Sequence, residues 1–379
     1  MSNPITYDVA IVGGGLAGLS IAILLAKRDH RVVLFEKESY PFHKVCGEYI
    51  SLESEGFLTR LGVPVRDLQL PIISQLVVTA PNGNKLEQAL PLGGFGISRY
   101  KLDAMLCEIA RSHGVQVMED CKVTDTAYGE DQFTVRTTKG NFSARTCCGS
   151  FGKRSNLDVK WKRPFTLKTA RRLNQYVGVK YHIQTNFPQD TIALHNFSEG
   201  YCGISKIEDD RYCLCYLTHA SNLKKADQQL QVLEQNIMSR NPHLKKLLTN
   251  ATHFYAAPLS ISQISFLKKN QVEDHVLLLG DAAGLITPLC GNGMSMAMHS
   301  AQLAATSINK FLAGDTDRRT MEQQYSDSWK KQFAKRLWFG RMIQYFFGKE
   351  KMTNGFVWTM KRFPGLTRWL IKQTHGKPF

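Results

Sequence analysis

The stretch YDVAIVGGGLAGLSIAILLAKRDHRVVLFEK, residues 7 to 37, constrains the fold more than any other part of the chain. Residues 7 to 12 read as a short apolar strand. Gly13, Gly15 and Gly18 then form G-x-G-x-x-G. Residues 16 to 28 carry an apolar helical pattern, and RVVLFE reads as a second strand ending on Glu36. In that order the segments make the βαβ unit of a Rossmann-type α/β fold. The three glycines serve different ends. Gly13 permits the tight turn, Gly15 lets a pyrophosphate approach the backbone, and Gly18 lets helix and strand pack closely. The helix N-terminus presents N–H groups to the phosphates. Glu36, 18 residues beyond Gly18, is placed to accept hydrogen bonds from ribose hydroxyls. A carboxylate there disfavours a 2′-phosphate, so FAD or NAD suits the site better than NADP.

A second motif chooses between them. HVLLLGDAAGLITPLCGNGMSMAMHSAQLAATSI, residues 275 to 308, is a strand, a Gly280–Asp281 pair, a glycine-bounded loop and a long small-residue helix. Asp281 would accept hydrogen bonds from a ribityl chain. Pro288 and the Gly291–Asn292–Gly293 turn would offer N–H groups and a helix N-terminus to the pyrimidine side of a reduced flavin, where its negative charge lies.

Together these motifs resemble the FAD-dependent family that includes p-hydroxybenzoate hydroxylase and the geranylgeranyl reductases. SRYKLDAMLCEIARSHGVQV, residues 98 to 117, is similar to that family's Arg-led helix, and the resemblance assigns Arg99 to the FAD phosphates. It also implies FAD contacts at Ala17, Lys37, Lys44, Cys46, Gly47, Val123 and Met294. One motif departs: the family's Gly-Ala-Asp-Gly-x-x-Ser stands here as GSFGKRS, with Phe151 in place of the aspartate. That puts the usual NADPH docking in doubt, although Lys153 and Arg154 could steer phosphates and NAD(P)H is kept as a candidate electron donor.

Two further stretches bear on chemistry. HKVCGEYIS, residues 43 to 51, resembles the Lys-x-Cys-Gly of the reductase branch, in which the cysteine lies close to the flavin. A thiol there would give a proton to carbon while the flavin gives hydride. The other reading is that Cys46 and Gly47 are two small residues where backbone nears the ring. GYCGISK keeps Tyr201 of the reductases' Tyr-x-Trp-x-Phe-Pro but has Gly203 for the tryptophan. Cys46 and Tyr201 are the catalytic candidates. The expected activity is reduction of an isoprenoid or long-chain substrate. The alternative is a monooxygenase that hydroxylates a phenolic or alkyl-aromatic compound, for which His182, His195 and Tyr201 are candidate bases.

The motifs divide the chain into an FAD-binding unit in three parts (1–68, 98–158 and 268–315), an antiparallel substrate sheet inserted in two (69–97 and 159–267) and a C-terminal helical region (316–379). SQLVVTAPNGNKLEQAL reads as a hairpin, and YVGVKYHIQ, TIALHNF, GYCGISKI and RYCLCYLTH as further strands. Cys213 and Cys215 share one strand face and read as small buried residues. Nine cysteines, no CxxC pair and no export signal point to reduced thiols in a cytoplasmic protein and give no zinc pattern. No window reaches about 18 uninterrupted apolar residues. Of the net charge of +16, the last 64 residues hold +10 (14 Lys/Arg against 4 Asp/Glu) together with Trp329, Trp338, Trp358 and Trp369. Such a tail suits a membrane surface or carrier, or else packs its aromatics inward. No nucleic-acid motif accompanies the charge. Oligomeric state is not readable from these patterns.

Overall fold

A computed structural model describes residues 6–167, 175–287, 291–347, 349–374 and 376–379. Two sheets organise it. The first has eight strands among the described residues, in the order Val272–Glu273, Val276–Leu278, Gly140–Gly149, Thr6–Val12, Val32–Phe35, Gln116–Met118, with the hairpin Val123–Gly129/Gln132–Thr137 added beside Gly140–Gly149. Its central pairs are parallel: Val9 lies beside Val32 on one side and Thr146 on the other. Strands covered on both faces read as unbroken apolar runs, as VAIV and VVLF do. The helix Leu16–Ala26 is apolar all round because it is buried between this sheet and the helices Arg99–Ser112 and Gly293–Leu312.

The second sheet has nine strands among the described residues, with Tyr176–Gln184, Tyr212–His219, Gly200–Lys206, Thr191–Phe197, Ile72–Thr79 and Lys85–Gly96 side by side and Tyr49–Ser51 at the edge. The PNGN turn closes Ile72–Thr79 on Lys85–Gly96, with Gly83 at φ +87°. The sheet is not wholly antiparallel: Thr191–Phe197 runs parallel to Ile72–Thr79. These two strands come from separate passes of the chain, so no hairpin forces them to oppose. Alternation sends Val179, Ala193, Cys202, Ile204, Leu214 and Tyr216 to an outer face covered by short helices. It sends Lys180, His182, Leu194, Tyr201, Gly203, Cys213 and Cys215 to the face toward the nucleotide unit.

The C-terminal region is three helices, Arg318–Phe346, Glu350–Arg362 and Pro364–Thr374. Its aromatics divide between the two expected fates. Tyr325, Trp329 and Phe333 enter the core of the nucleotide unit, and Tyr325 Oη donates to Leu278 O at 2.5 Å. Trp338, Trp358 and Trp369 remain exposed. Among the described residues, no helix is long and apolar enough to cross a membrane, and the described cysteines are free thiols.

Candidate functional site

The first glycine turn is built as its spacing demands. Gly13 sits at φ +102°, where a Cβ would fall 2.7 Å from Ser150 O, and a Cβ on Gly18 would fall 2.0 Å from the Gly13 carbonyl. Gly15 differs: a Cβ there would meet only Arg99 Nη2 at 3.6 Å and Lys44 Nζ at 3.7 Å. Two cations therefore overhang the turn. Both are held by the buried Asp103, which takes two 2.7 Å hydrogen bonds from Arg99 and an ion pair from Lys44 at 3.2 Å. Burial alone would raise the Asp103 pKa; the Arg99 and Lys44 charges more than offset it and hold the carboxyl below its usual range. Glu36 accepts from the N–H groups of Gly14, Lys37 and Glu38 at 2.8, 2.9 and 3.2 Å. Lys37 thus contributes its backbone, while its ammonium pairs with Glu38 at the surface.

The Gly-Asp turn meets this cradle from the far end of the chain. Gly280 has φ +55°, and a Cβ on it would lie 3.4 Å from that of Ala17 and 3.3 Å from that of Ala297. The Asp281 carbonyl accepts from the buried Lys269 Nζ at 2.8 Å, and burial pulls the Lys269 pKa down to about 8. Gly291 is at φ +64°, and Asn292 and Gly293 open the helix Gly293–Leu312. Neither Gly15 nor Asn292 caps its helix with a side-chain hydrogen bond. A helix N-terminus of this kind suits an anion, because its first-turn N–H groups have no partner within the helix. Pro288 and Cys290 lie outside the described residues. The side chains of Met294 and Val123 are buried in the core. The donors, the cations and the ribose carboxylate fit a dinucleotide such as FAD.

Between cradle and sheet runs the strap Lys44–Gly47. Its four carbonyls are held in succession: Lys44 O by Lys180 Nζ (3.1 Å), Val45 O by Lys153 Nζ (3.2 Å), Cys46 O by the Cys213 thiol (3.2 Å) and Gly47 O by Ser205 Oγ (3.4 Å). Lys153, a candidate for steering phosphates, braces this strap through its ammonium. Cys46 is half-buried, and Arg99 and Lys180 lie within electrostatic reach of it. Gly47 is exposed, and nothing lies within 4 Å of a Cβ placed on it. The protein around Gly47 therefore does not itself demand a small residue.

The sequence reading missed what holds the strap from behind. Glu48, fully buried in a left-handed conformation at φ +54°, accepts from Lys180 and from Arg99 N (2.9 Å) on one oxygen, and its other oxygen meets His182 Nε2 at 2.6 Å. Burial would raise the Glu48 pKa; the His182 hydrogen bond and the Lys180 charge hold it below the usual value. Burial likewise opposes the Lys180 charge, and Glu48 more than restores it. The only signal in the sequence was Lys180 and His182 two residues apart in an otherwise apolar strand. Glu48, His182 and Cys213 also offer ligand atoms within 4.8 Å of one another, but the Lys180 ammonium already neutralises the carboxylate.

Above the strap, the sheet face becomes apolar. Ser205 and Cys213 pair beside it, Gly203 and Cys215 come next, and Tyr201 pairs with Leu217 beyond. Gly203 and Cys215 are both half-exposed, so this face opens where the reductases' tryptophan would stand. Tyr201 is buried in an apolar cluster with Leu194, Leu217, Leu285, Phe347 and Met360. His195 belongs to the other face: it bonds Thr79 Oγ1 at 2.9 Å and stacks on His243, and burial pushes its pKa down to about 3.

The chain is similar to conditioned medium factor receptor 1 of Dictyostelium discoideum (26% identical, covering 86% of this chain and 68% of that protein). It is also similar to digeranylgeranylglycerophospholipid reductase 2 of Methanopyrus kandleri (24% identical, 87% and 83%). Among solved structures, a flavin-dependent brominase superposes with TM-score 0.80 over 98% of this chain and 93% of its own, at 21% identity, a likeness of fold. Residues 6–337 match the family model described as an FAD binding domain, and with that span the chain belongs to this family and is an FAD-dependent oxidoreductase.

Proposed function

We propose that this oxidoreductase reduces a carbon–carbon double bond in a hydrophobic isoprenoid or long-chain substrate. The observation that carries the reading is the braced strap, which holds the half-buried Cys46 thiol and the open space at Gly47 beneath an apolar sheet face. Bound and reduced FAD supplies the hydride. The chain's own residues do the rest. Arg99, Lys44 and the two uncapped helix N-termini hold the cofactor's charge. Leu194, Tyr201 and Leu285 bury the apolar substrate and exclude water. Cys46 Sγ–H gives its proton to the carbon that does not receive hydride, and the thiolate recovers a proton from solvent. With that hydride the alkene would gain two electrons, which NAD(P)H or another two-electron donor would have to supply in turn.

The positions of the histidines favour this over phenol hydroxylation, which needs a base beside the substrate. His195 faces away, and His182 is engaged with Glu48. The test is anaerobic mixing of the reduced holoenzyme with polyprenyl substrates. Flavin absorbance should return with a saturated product. No return across a substrate panel, with oxygen uptake stimulated by a phenol, would select hydroxylation.

A further inference from the structure

The outer side of the C-terminal helices carries a surface that the chemistry above does not use. The helix Glu350–Arg362 turns Thr353, Val357 and Met360 inward, and Val357 and Met360 join the apolar cluster of Tyr201 and Leu194. Its other side presents Trp358 at 62% exposure. The turn that follows, Lys361 to Leu366, is exposed at every residue, with Phe363 and Leu366 on a shallow apolar groove. Trp369 lies one helical turn beyond Leu366, and its ring meets Phe339, which meets Trp338, at centroid distances of 5.8 and 4.9 Å. Trp338, Phe363 and Trp369 are each about half exposed. Four exposed aromatic residues on one set of helices are unusual for a face that meets only water.

The charge around it is of one sign. From residue 328 to the C-terminus there are 12 Lys/Arg and a single acid, Glu350. Lys361, Arg362, Arg368 and Lys372 are exposed beside the aromatic residues. Two such faces would repel one another, so a second copy is a poor partner. Aromatic rings with a basic fringe match the headgroup region of a bilayer carrying anionic lipid, where rings enter the interface and cations meet phosphates. Among the described residues no helix crosses, so the contact is with one leaflet.

We propose that the turn 361–366, with Trp358 and Trp369, docks the protein on an anionic membrane surface. This stands apart from the reductive reading. It also sets the helix that packs on the apolar cluster of Tyr201 directly against lipid.

The test is flotation of the full-length holoprotein with vesicles of phosphatidylcholine, alone or with about a third phosphatidylglycerol. Binding to the anionic vesicles is expected to exceed binding to neutral ones by more than about tenfold. The triple change Lys361→Gln, Arg362→Gln and Arg368→Gln should weaken it by about a hundredfold, since each basic side chain near such a surface contributes about fivefold. Trp358→Ser with Phe363→Ser and Leu366→Ser should weaken it by at least as much. Both variants alter exposed residues, so retained flavin absorbance and circular dichroism will show that they fold. Equal binding to neutral vesicles, or unchanged binding by either variant, would overturn the proposal. So would concentration-dependent self-association that the aromatic variant abolishes, or capture by an oligonucleotide in preference to vesicles. Flavin reoxidation by a detergent-dispersed polyprenyl substrate should be the same in both variants, which separates failure of docking from failure of the reductive reading.

Discussion

Lys180→Met tests the architecture behind the strap. The Lys180 side chain is 2% exposed and that of Glu48 is fully buried, so the change leaves a buried carboxylate without its main counter-charge. Breaking a buried pair from one side costs about 3–5 kcal/mol. His182 Nε2, 2.6 Å from the second Glu48 oxygen, still holds the carboxylate by its hydrogen bond. That places the loss near the lower end, about 3 kcal/mol or roughly 150-fold in the folding equilibrium. The Lys44 carbonyl loses its donor as well, so Cys46 should also lose its alignment. Glu48→Gln in the same chain removes the stranded charge. The double variant should therefore be more stable than the sum of the single losses by at least about 2 kcal/mol. Urea unfolding followed by tryptophan fluorescence, with flavin release recorded in parallel, measures all four proteins. A Lys180→Met variant within about 0.5 kcal/mol of the parent, or strictly additive single changes, would refute the claim that this pair holds the strap.

Other outcomes follow from the same geometry. Cys46→Ser should keep the flavin spectrum and slow flavin reoxidation by substrate about 100-fold or more, read by stopped flow; untouched turnover would leave Cys46 no role as an acid. Gly47→Ala adds a Cβ that meets no protein atom within 4 Å beyond its chain neighbours, so its unfolding midpoint should stay near the parent's while its affinity for FAD or substrate, measured by titration, falls. In the folded protein the Glu48 and Asp103 pKa values are both below their ordinary 4.5 and 3.8. Their stabilisation is thus complete above about pH 4.5 and lost as the pH falls through the folded values. Acid-induced flavin release that begins well above pH 5 would point to other groups.

The nucleotide cradle was legible because its signals are local. Gly13, Gly15, Gly18 and Glu36 fall within one strand–helix–strand passage, and Gly280 with Asp281 ends another strand. The relation of Lys44 to Arg99 was readable only through family resemblance, since Asp103, which joins them, looks like an ordinary helix residue in sequence. Glu48, Lys180 and His182 were harder still. Glu48 is 132 residues from Lys180, and only the register of the second sheet brings them together. His182 and His195 are indistinguishable as candidate bases in sequence, because strand parity decides which face each occupies. Gly203 was read as a lost tryptophan; its meaning as an opening depends on Cys215 across the ladder, also half-exposed. The tail's charge was plain, but the fate of each tryptophan depended on which turn of the long helix met the core.

The donors that clasp the strap come from three strands of the substrate sheet and one loop of the nucleotide unit. A different sheet could be grafted onto this cradle to change what is bound, but the graft would have to bring lysine, thiol and hydroxyl donors in the same register. Without them the thiol at position 46 would have no defined place. Divergence of substrate in this architecture should therefore proceed through the residues beyond Gly203, leaving the rows nearest the strap untouched.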